Sequence, residues 1–283
     1  MNSNQSTWAI SPQNTKIFAK KQFASPLFLV MTVVCTLACA ANVVALAMGY
    51  SIFDVFAKLL SGNFPSVEAA FNGVLDMSYM VINKKGNEVV NSVWLTHLLT
   101  AIPNLFVVLG MWLVYISALL GGREKLYKVG FTAMQVVKFN MIIVSAFFML
   151  TNSITVFRSL EAASLPGTAV TLFKIMIVAI CLFILYFNVR TVALFAFWKE
   201  TGAENSPVPQ IPSFIGFTTV AGGSAVALTT VMYALSLGQA ATELSFLIPA
   251  GTLVLLSIAA IVYGLFIFSY KAKIAEFVSA DEN

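Results

Sequence analysis

Six long apolar stretches alternate with shorter polar segments along this chain of 283 residues. They cover residues 27–48, 98–120, 139–157, 170–195, 214–237 and 246–269. Each stretch approaches the roughly 20 mostly apolar residues that a helix needs to cross about 30 Å of hydrocarbon. None shows the alternation of polar and apolar residues that is typical of a membrane β-strand. The pattern predicts an all-α, polytopic integral membrane protein, with six transmembrane helices in one domain over residues 26–270.

Residues 1–25 predict a cytoplasmic amphipathic anchor ahead of the first span. Ser11 and Pro12 are residue types that favour a helix start, and we expect a short helix from there through Ala24. In an interfacial helix, large apolar side chains face lipid while lysines reach headgroup phosphates. The residues expected in these two roles are Ile17, Phe18 and Phe23, and Lys16, Lys20 and Lys21. The alternative is a regulatory sensor of lipid.

Residues 49–93 form an external segment that is much longer than the usual connection between two helices. Its apolar positions recur at helical spacing in two runs, which predicts a small external cap of amphipathic helices. The first run is Ile52, Phe53, Phe56, Leu59 and Leu60, and the second is Val67, Ala70, Phe71, Val74 and Leu75. Three interpretations stay open: a structural cap, a lid that binds a partner or ligand, and a re-entrant pore hairpin.

Composition and charge agree with residence in a membrane. The chain is 59% hydrophobic and 10% charged, whereas soluble domains carry about 25% charged residues. This excludes soluble, disordered and nucleic-acid-binding proteins. Most of the 16 lysines and arginines lie at one end of the spans if the N-terminus is cytoplasmic, as the positive-inside bias requires. We expect a multi-pass protein of the cell membrane with both termini, including the tail 271–283, in the cytoplasm.

The chain carries few of the groups that catalysis or metal binding needs. All 12 acidic residues lie outside the six apolar stretches, which weighs against coupling to an ion through a buried carboxylate. One histidine, His97, cannot build a three-ligand zinc site, and the cysteines Cys35, Cys39 and Cys181 lie in apolar surroundings. No P-loop pattern occurs. The sequence therefore predicts no catalytic residue, cofactor or metal, and a protein that is not an enzyme.

Four residues in the third and fourth stretches are candidate contacts for a solute or a lipid headgroup. Lys138 and Arg190 are basic residues at or inside the predicted spans, and Asn140 and Asn188 lie beside them in sequence. A basic residue in a span either marks a functional site or extends its side chain to the membrane surface. Both interpretations remain open for Lys138 and Arg190, and we expect Lys174 to reach the external surface.

Small residues predict close helix contacts in the first and fifth stretches, because they let two backbones approach. These residues are Ala41, Ala45 and Gly49, and Ala221, Gly222, Gly223, Ser224 and Ala225. The pair Gly222 and Gly223 also fits the unwound segment of a transporter helix.

Three functional hypotheses follow. The first is an accessory or partner-binding membrane subunit, favoured by the lack of catalytic groups and by the apolar external segment. Its partners are the lipid bilayer and a membrane protein bound through the cap or the small-residue seams, with no nucleic acid. The alternative is a transporter or channel for a small solute, anionic or lipid-like. An enzyme acting on lipid or isoprenoid substrates is the third, weakened by the absence of acidic or histidine clusters.

Overall fold

Helices make up almost all of the computed structural model, which describes residues 12–48, 92–120, 124–162, 166–200 and 213–281. A 3₁₀ turn, Gly238–Thr242, joins the last two helices. The helices of this described part are α1 Pro12–Phe23, α2 Pro26–Ala47, α3 Ser92–Leu119, α4 Glu124–Ala162, α5 Gly167–Glu200, α6 Ser213–Leu237 and α7 Leu244–Asp281. The predicted all-α class is confirmed.

Five of the six predicted spans are confirmed as helices that are long and apolar enough to cross a membrane. They are Pro26–Ala47, Ile102–Leu119, Gly167–Lys199, Ser213–Leu237 and Phe246–Ile274. The remaining stretch, 139–157, is helical within α4, and its role as a sixth span stays a prediction. This is the helix set of a membrane-embedded protein.

Local residue chemistry explains where α2 begins and where α6 ends. The Ser25 hydroxyl caps α2 by accepting a hydrogen bond from the Phe28 backbone amide at 3.4 Å, and Pro26 occupies the first helical position. Gly238 follows α6 with φ of +58°, a backbone conformation that glycine adopts without steric cost. Helix α2 therefore begins one residue before the first predicted apolar stretch, 27–48.

The six long helices pack as a ring in chain order. Each of α2 to α6 contacts the next helix, and α7 returns to pack against α2. The α5–α6 junction is the least extensive of these, and Tyr186 and Phe214 stack there with ring centroids 5.5 Å apart. Helix α1 contacts α2, α3 and α7. It thus lies against the ring rather than apart from it.

Small residues let two pairs of these helices approach closely. A Cβ atom on Gly130 of α4 would lie 2.6 Å from the Gly110 carbonyl oxygen of α3, and one on Gly223 of α6 would lie 2.8 Å from the Ser257 oxygen of α7. Part of the predicted seam in the fifth span is therefore a real contact. Helix α6 is continuous through Gly222 and Gly223, so the alternative of an unwound segment is wrong.

Helix α1 forms where the sequence predicts it, but its aromatic residues do not face lipid. Phe18 and Phe23 are buried in the core, whereas Ile17 is 53% exposed and Lys20 and Lys21 are exposed. The expectation for Phe18 and Phe23 is wrong because other aromatic rings of the chain cover them more completely than a membrane surface would. The predicted cap, 49–93, lies outside the described residues except for 92–93, where α3 begins, and Gly49 of the predicted seam is outside them as well.

Candidate functional site

Aromatic side chains converge at one end of the ring. The start of α2, the start of α4 and the ends of α5 and α7 meet there around α1. We call the following residues the aromatic cluster, and their end of the ring the aromatic end: Phe18, Phe23, Phe28, Tyr127, Phe131, Trp198, Phe266 and Tyr270. Every member is at most 5% exposed. The cluster belongs to the most extensive group of buried hydrophobic residues in the described structure.

A hydrogen bond joins α4 to α5 within the cluster. The Tyr127 hydroxyl donates to the Trp198 backbone carbonyl at 2.8 Å, which satisfies an acceptor near the end of α5. Burial raises the pKa of Tyr127 well above its usual value, and Tyr270 nearby adds to the shift. The phenol therefore stays protonated and available as a donor.

Lys138 lies on the buried face of α4. Residues 127, 131, 134 and 138 follow at helical spacing, so their side chains share one face. Tyr127, Phe131 and Met134 are buried on that face, and Lys138 is half-buried one turn beyond Met134. The Lys138 ammonium is also within electrostatic range of Cys35 on α2. Lys138 thus extends the core face of its helix toward α2.

Arg190 occupies the matching position on α5. It precedes Leu194 and Trp198 at steps of four residues, and these two side chains are only 1% and 2% exposed. Arg190 is half-buried, and its Nε atom is fully buried with no hydrogen-bond partner among the described residues. At a rise of about 1.5 Å per residue, Arg190 lies about 12 Å beyond Trp198, and Lys138 about 10 Å beyond Phe131. Both cations are on the same side of the aromatic cluster.

Lys174 provides a contrast with these two residues. Its ammonium forms an ion pair with the Glu161 carboxylate of α4 and lies 5.6 Å from the centre of the Phe157 ring. The hydrogen bond and charge of Lys174 lower the pKa of Glu161. A basic residue of α5 that has a carboxylate within reach is therefore paired with it, whereas no described acidic side chain pairs with Lys138 or Arg190.

The two asparagine candidates lie apart from these cations. Asn140 is exposed, two residues and hence more than half a turn from the Lys138 face. The Asn188 side-chain amide donates to the Ile184 carbonyl of its own helix at 2.9 Å, on the side of α5 away from Arg190. Lys138 and Arg190 thus lie on core faces and Asn140 is exposed, whereas Asn188 is half-buried and bonded to its own helix.

Sequence reasoning missed three polar residues at the aromatic end. Gln22 Nε2, Trp198 Nε1 and Tyr263 Oη are buried without a hydrogen-bond partner among the described residues. Such atoms are rare in native structures, and each needs an explanation. One feature of the sequence points to these residues: aromatic and amide residues recur at the predicted cytoplasmic ends of several spans.

Comparison of the chain with models of known protein families, with curated proteins and with solved structures gave no match.

Proposed function

We propose that this chain is a multi-pass, non-enzymatic protein of the cell membrane that binds a small anionic or lipid-like solute, as a transporter or channel does. The observation that carries the proposal is the placement of Lys138 and Arg190 on the core faces of α4 and α5, with no ion pair to any acidic side chain that the structure describes. Both termini are proposed to be cytoplasmic, which turns the aromatic end toward the cytoplasm.

The energetics of buried charge favour an anionic occupant. Removing an ion from water costs several kcal/mol unless a counter-ion and hydrogen bonds compensate. Arginine cannot lose its proton in a protein, and the apolar stretches contain no aspartate or glutamate. A phosphate or carboxylate group would supply the missing charge and would accept hydrogen bonds from the Arg190 guanidinium. That group belongs either to a lipid headgroup or to a free solute.

A thermal-stability titration tests this proposal and separates the two sources. A bound ligand raises the unfolding temperature of the state that binds it. The detergent-solubilised chain is titrated in three arms, with phosphatidylglycerol, with phosphatidylcholine and with inorganic phosphate. Stabilisation by phosphatidylglycerol alone indicates a headgroup site, whereas stabilisation by inorganic phosphate indicates a free anion.

The variants Lys138→Gln and Arg190→Gln are expected to weaken that stabilisation. A hydrogen bond to a charged group is worth about 1.5–3 kcal/mol, so each variant should lower the affinity roughly 10- to 100-fold. Lys125→Gln and Lys199→Gln remove a charge from the same two helices nearer the aromatic end and should leave the affinity unchanged. Equal affinity in all four variants would contradict the proposal.

A second candidate is the accessory, partner-binding subunit, and one observation favours it. Gly222 lies on an exposed part of α6, where an added Cβ would meet nothing within 4 Å, and Ala221, Ser224 and Ala225 are exposed beside it. In membranes, small residues of this kind form helix–helix interfaces. This side of α6 would then receive a helix of a membrane protein partner.

The substitution Gly222→Leu tests this second candidate. A leucine would hold a partner helix away without touching α7, so a stoichiometric partner that co-purifies in mild detergent should be lost while the unfolding temperature is kept. Leu182→Phe, which adds volume on an exposed part of α5, is the control and should keep the partner. Retention of the partner by Gly222→Leu would exclude this surface.

A further inference from the structure

Phe23 of α1 occupies the centre of a cage of rings contributed by four other helices. Its ring centroid lies 5.2–5.9 Å from six others, on α2, α4, α5 and α7: Phe28, Tyr127, Phe131, Trp198, Phe266 and Tyr270. The side chain is 0% exposed, and Phe18 packs against Tyr270 with a centroid distance of 5.1 Å. One side chain of a short helix thus fills the space between four long ones.

Helix α1 is held differently from the helices that surround it. It has 12 residues, and an isolated helix of that length is marginal in water. Its helical state therefore depends on the side chains it buries, which among residues 17–23 are Phe18, Ala19, Gln22 and Phe23. Only Ala24 and Ser25 connect it to α2, and the Ser25 cap bonds to Phe28 within α2. Helix α2 can keep its start when α1 departs.

Buried polar atoms of the cage and of residues next to its rings oppose this closed packing. Gln22 Nε2 and Trp198 Nε1 are buried donors with no partner among the described residues, and the Tyr263 hydroxyl is buried in the same way. An unpaired buried polar group raises the free energy of the state that buries it. Departure of α1 would bring Gln22 into water and open the Trp198 indole to it. The closed state is therefore destabilised at the contact that α1 makes.

The two core-facing cations lie deeper in the ring than the cage, which is at the aromatic end. Lys138 and Arg190 follow the cage residues Phe131 and Trp198 by about 10 and 12 Å along α4 and α5. We propose that α1 is a plug that leaves the cage as a unit and opens the aromatic end of the ring toward Lys138 and Arg190. The role of the plug in giving an anion access to Lys138 and Arg190 rests on the proposed function. The opening of the plug does not depend on that function.

Hydrogen–deuterium exchange of the full chain in lipid nanodiscs tests the opening without any substitution. A unit that opens by itself exchanges its amides at a common rate set by its own local stability. The amides of residues 16–23, which can bond within α1, are expected to exchange together and at least about 100-fold faster than those of residues 30–46. Equally slow exchange of the two segments would overturn the plug.

Thiol labelling tests the access that the plug controls. The reporter is Leu194→Cys, between Trp198 and Arg190 on the buried face of α5, in a chain whose three native cysteines are replaced by alanine. Phe23→Ala is expected to raise the rate of labelling by a small water-soluble thiosulfonate about tenfold. Ile17→Ala, on the exposed side of α1, should leave the rate unchanged. Equal rates in the two variants would show that α1 is a fixed part of the core.

The two proposals fail in different ways. Fast exchange of α1 with fast labelling in Phe23→Ala, but no stabilisation by phosphatidylglycerol or phosphate, supports the plug and contradicts the proposed function. Stabilisation by phosphatidylglycerol or phosphate together with slow exchange of α1 supports the proposed function and contradicts the plug.

Discussion

The direction of its side chain determines whether a basic residue in a span forms a surface ion pair or faces the core, as Lys174, Lys138 and Arg190 show. Lys174 lies on the same helix as Arg190, yet at the other end of α5 it reaches the Glu161 carboxylate and the half-buried ring of Phe157. Arg190 instead follows the face of Leu194 and Trp198. Sequence identified all three as basic residues in apolar surroundings. Only the packing separates the paired one from the two that extend the core.

Tyr127→Phe measures what the hydrogen bond to Trp198 contributes. The ring is kept and the donor is lost, so the free energy of unfolding should fall by about 0.5–1.5 kcal/mol. Because the pKa of Tyr127 is raised, the folded chain keeps this proton after the unfolded chain has lost it. Its stabilisation is full below about pH 10 and declines as the pH rises further. Thermal unfolding at about pH 8 and pH 11 should show a smaller alkaline loss in the variant.

Tyr186→Phe is the control for this prediction, since Tyr186 is 54% exposed and its hydroxyl can bond to water. It should lose little stability at either pH. A Tyr127→Phe protein that behaves like Tyr186→Phe would show that the bond to Trp198 is not stabilising.

At the scale of the element, helix positions followed well from the sequence and helix surroundings did not. Local residue chemistry determines that α2 starts at Ser25 and Pro26 and that residues 12–23 are helical. Whether Phe23 faces lipid or a cage of rings depends on residues as distant as Tyr270. The period of an amphipathic helix shows which side is apolar, but it does not show what covers that side.

The crossing of α3 and α4 should be sensitive to a single methyl group. In Gly130→Ala the added Cβ would lie 2.6 Å from the Gly110 carbonyl oxygen, so the two backbones must separate. We expect a loss of about 1–3 kcal/mol in the free energy of unfolding, measured by denaturant titration.

Gly251→Ala is the matched control, because its Cβ would meet nothing within 4 Å on α7. It should be neutral or slightly stabilising, since alanine favours the helix. A Gly130→Ala protein as stable as Gly251→Ala would contradict the close crossing.

At the scale of the whole molecule, the ring explains why the sequence alone could not show which candidate residues share a helix face. Lys138 and Arg190 stand out in the sequence because charge is rare in spans. Asn140 and Asn188 were grouped with them by sequence position, but two residues along a helix turn a side chain more than half a turn away. Which helices are neighbours depends on long-range packing, such as the Trp112 indole donating to the Thr36 hydroxyl at 3.1 Å. No local pattern contains that information.

Native mass spectrometry of the intact chain is the most direct test of the central claim, that Lys138 and Arg190 hold an anionic molecule. Wild type and the Lys138→Gln/Arg190→Gln double variant are purified from the same membranes and compared. Wild type is predicted to carry an anionic molecule that is released on activation and identified by its mass. The double variant should lack it, whereas Lys125→Gln/Lys199→Gln should retain it. Equal occupancy in wild type and in the Lys138→Gln/Arg190→Gln variant would contradict the account.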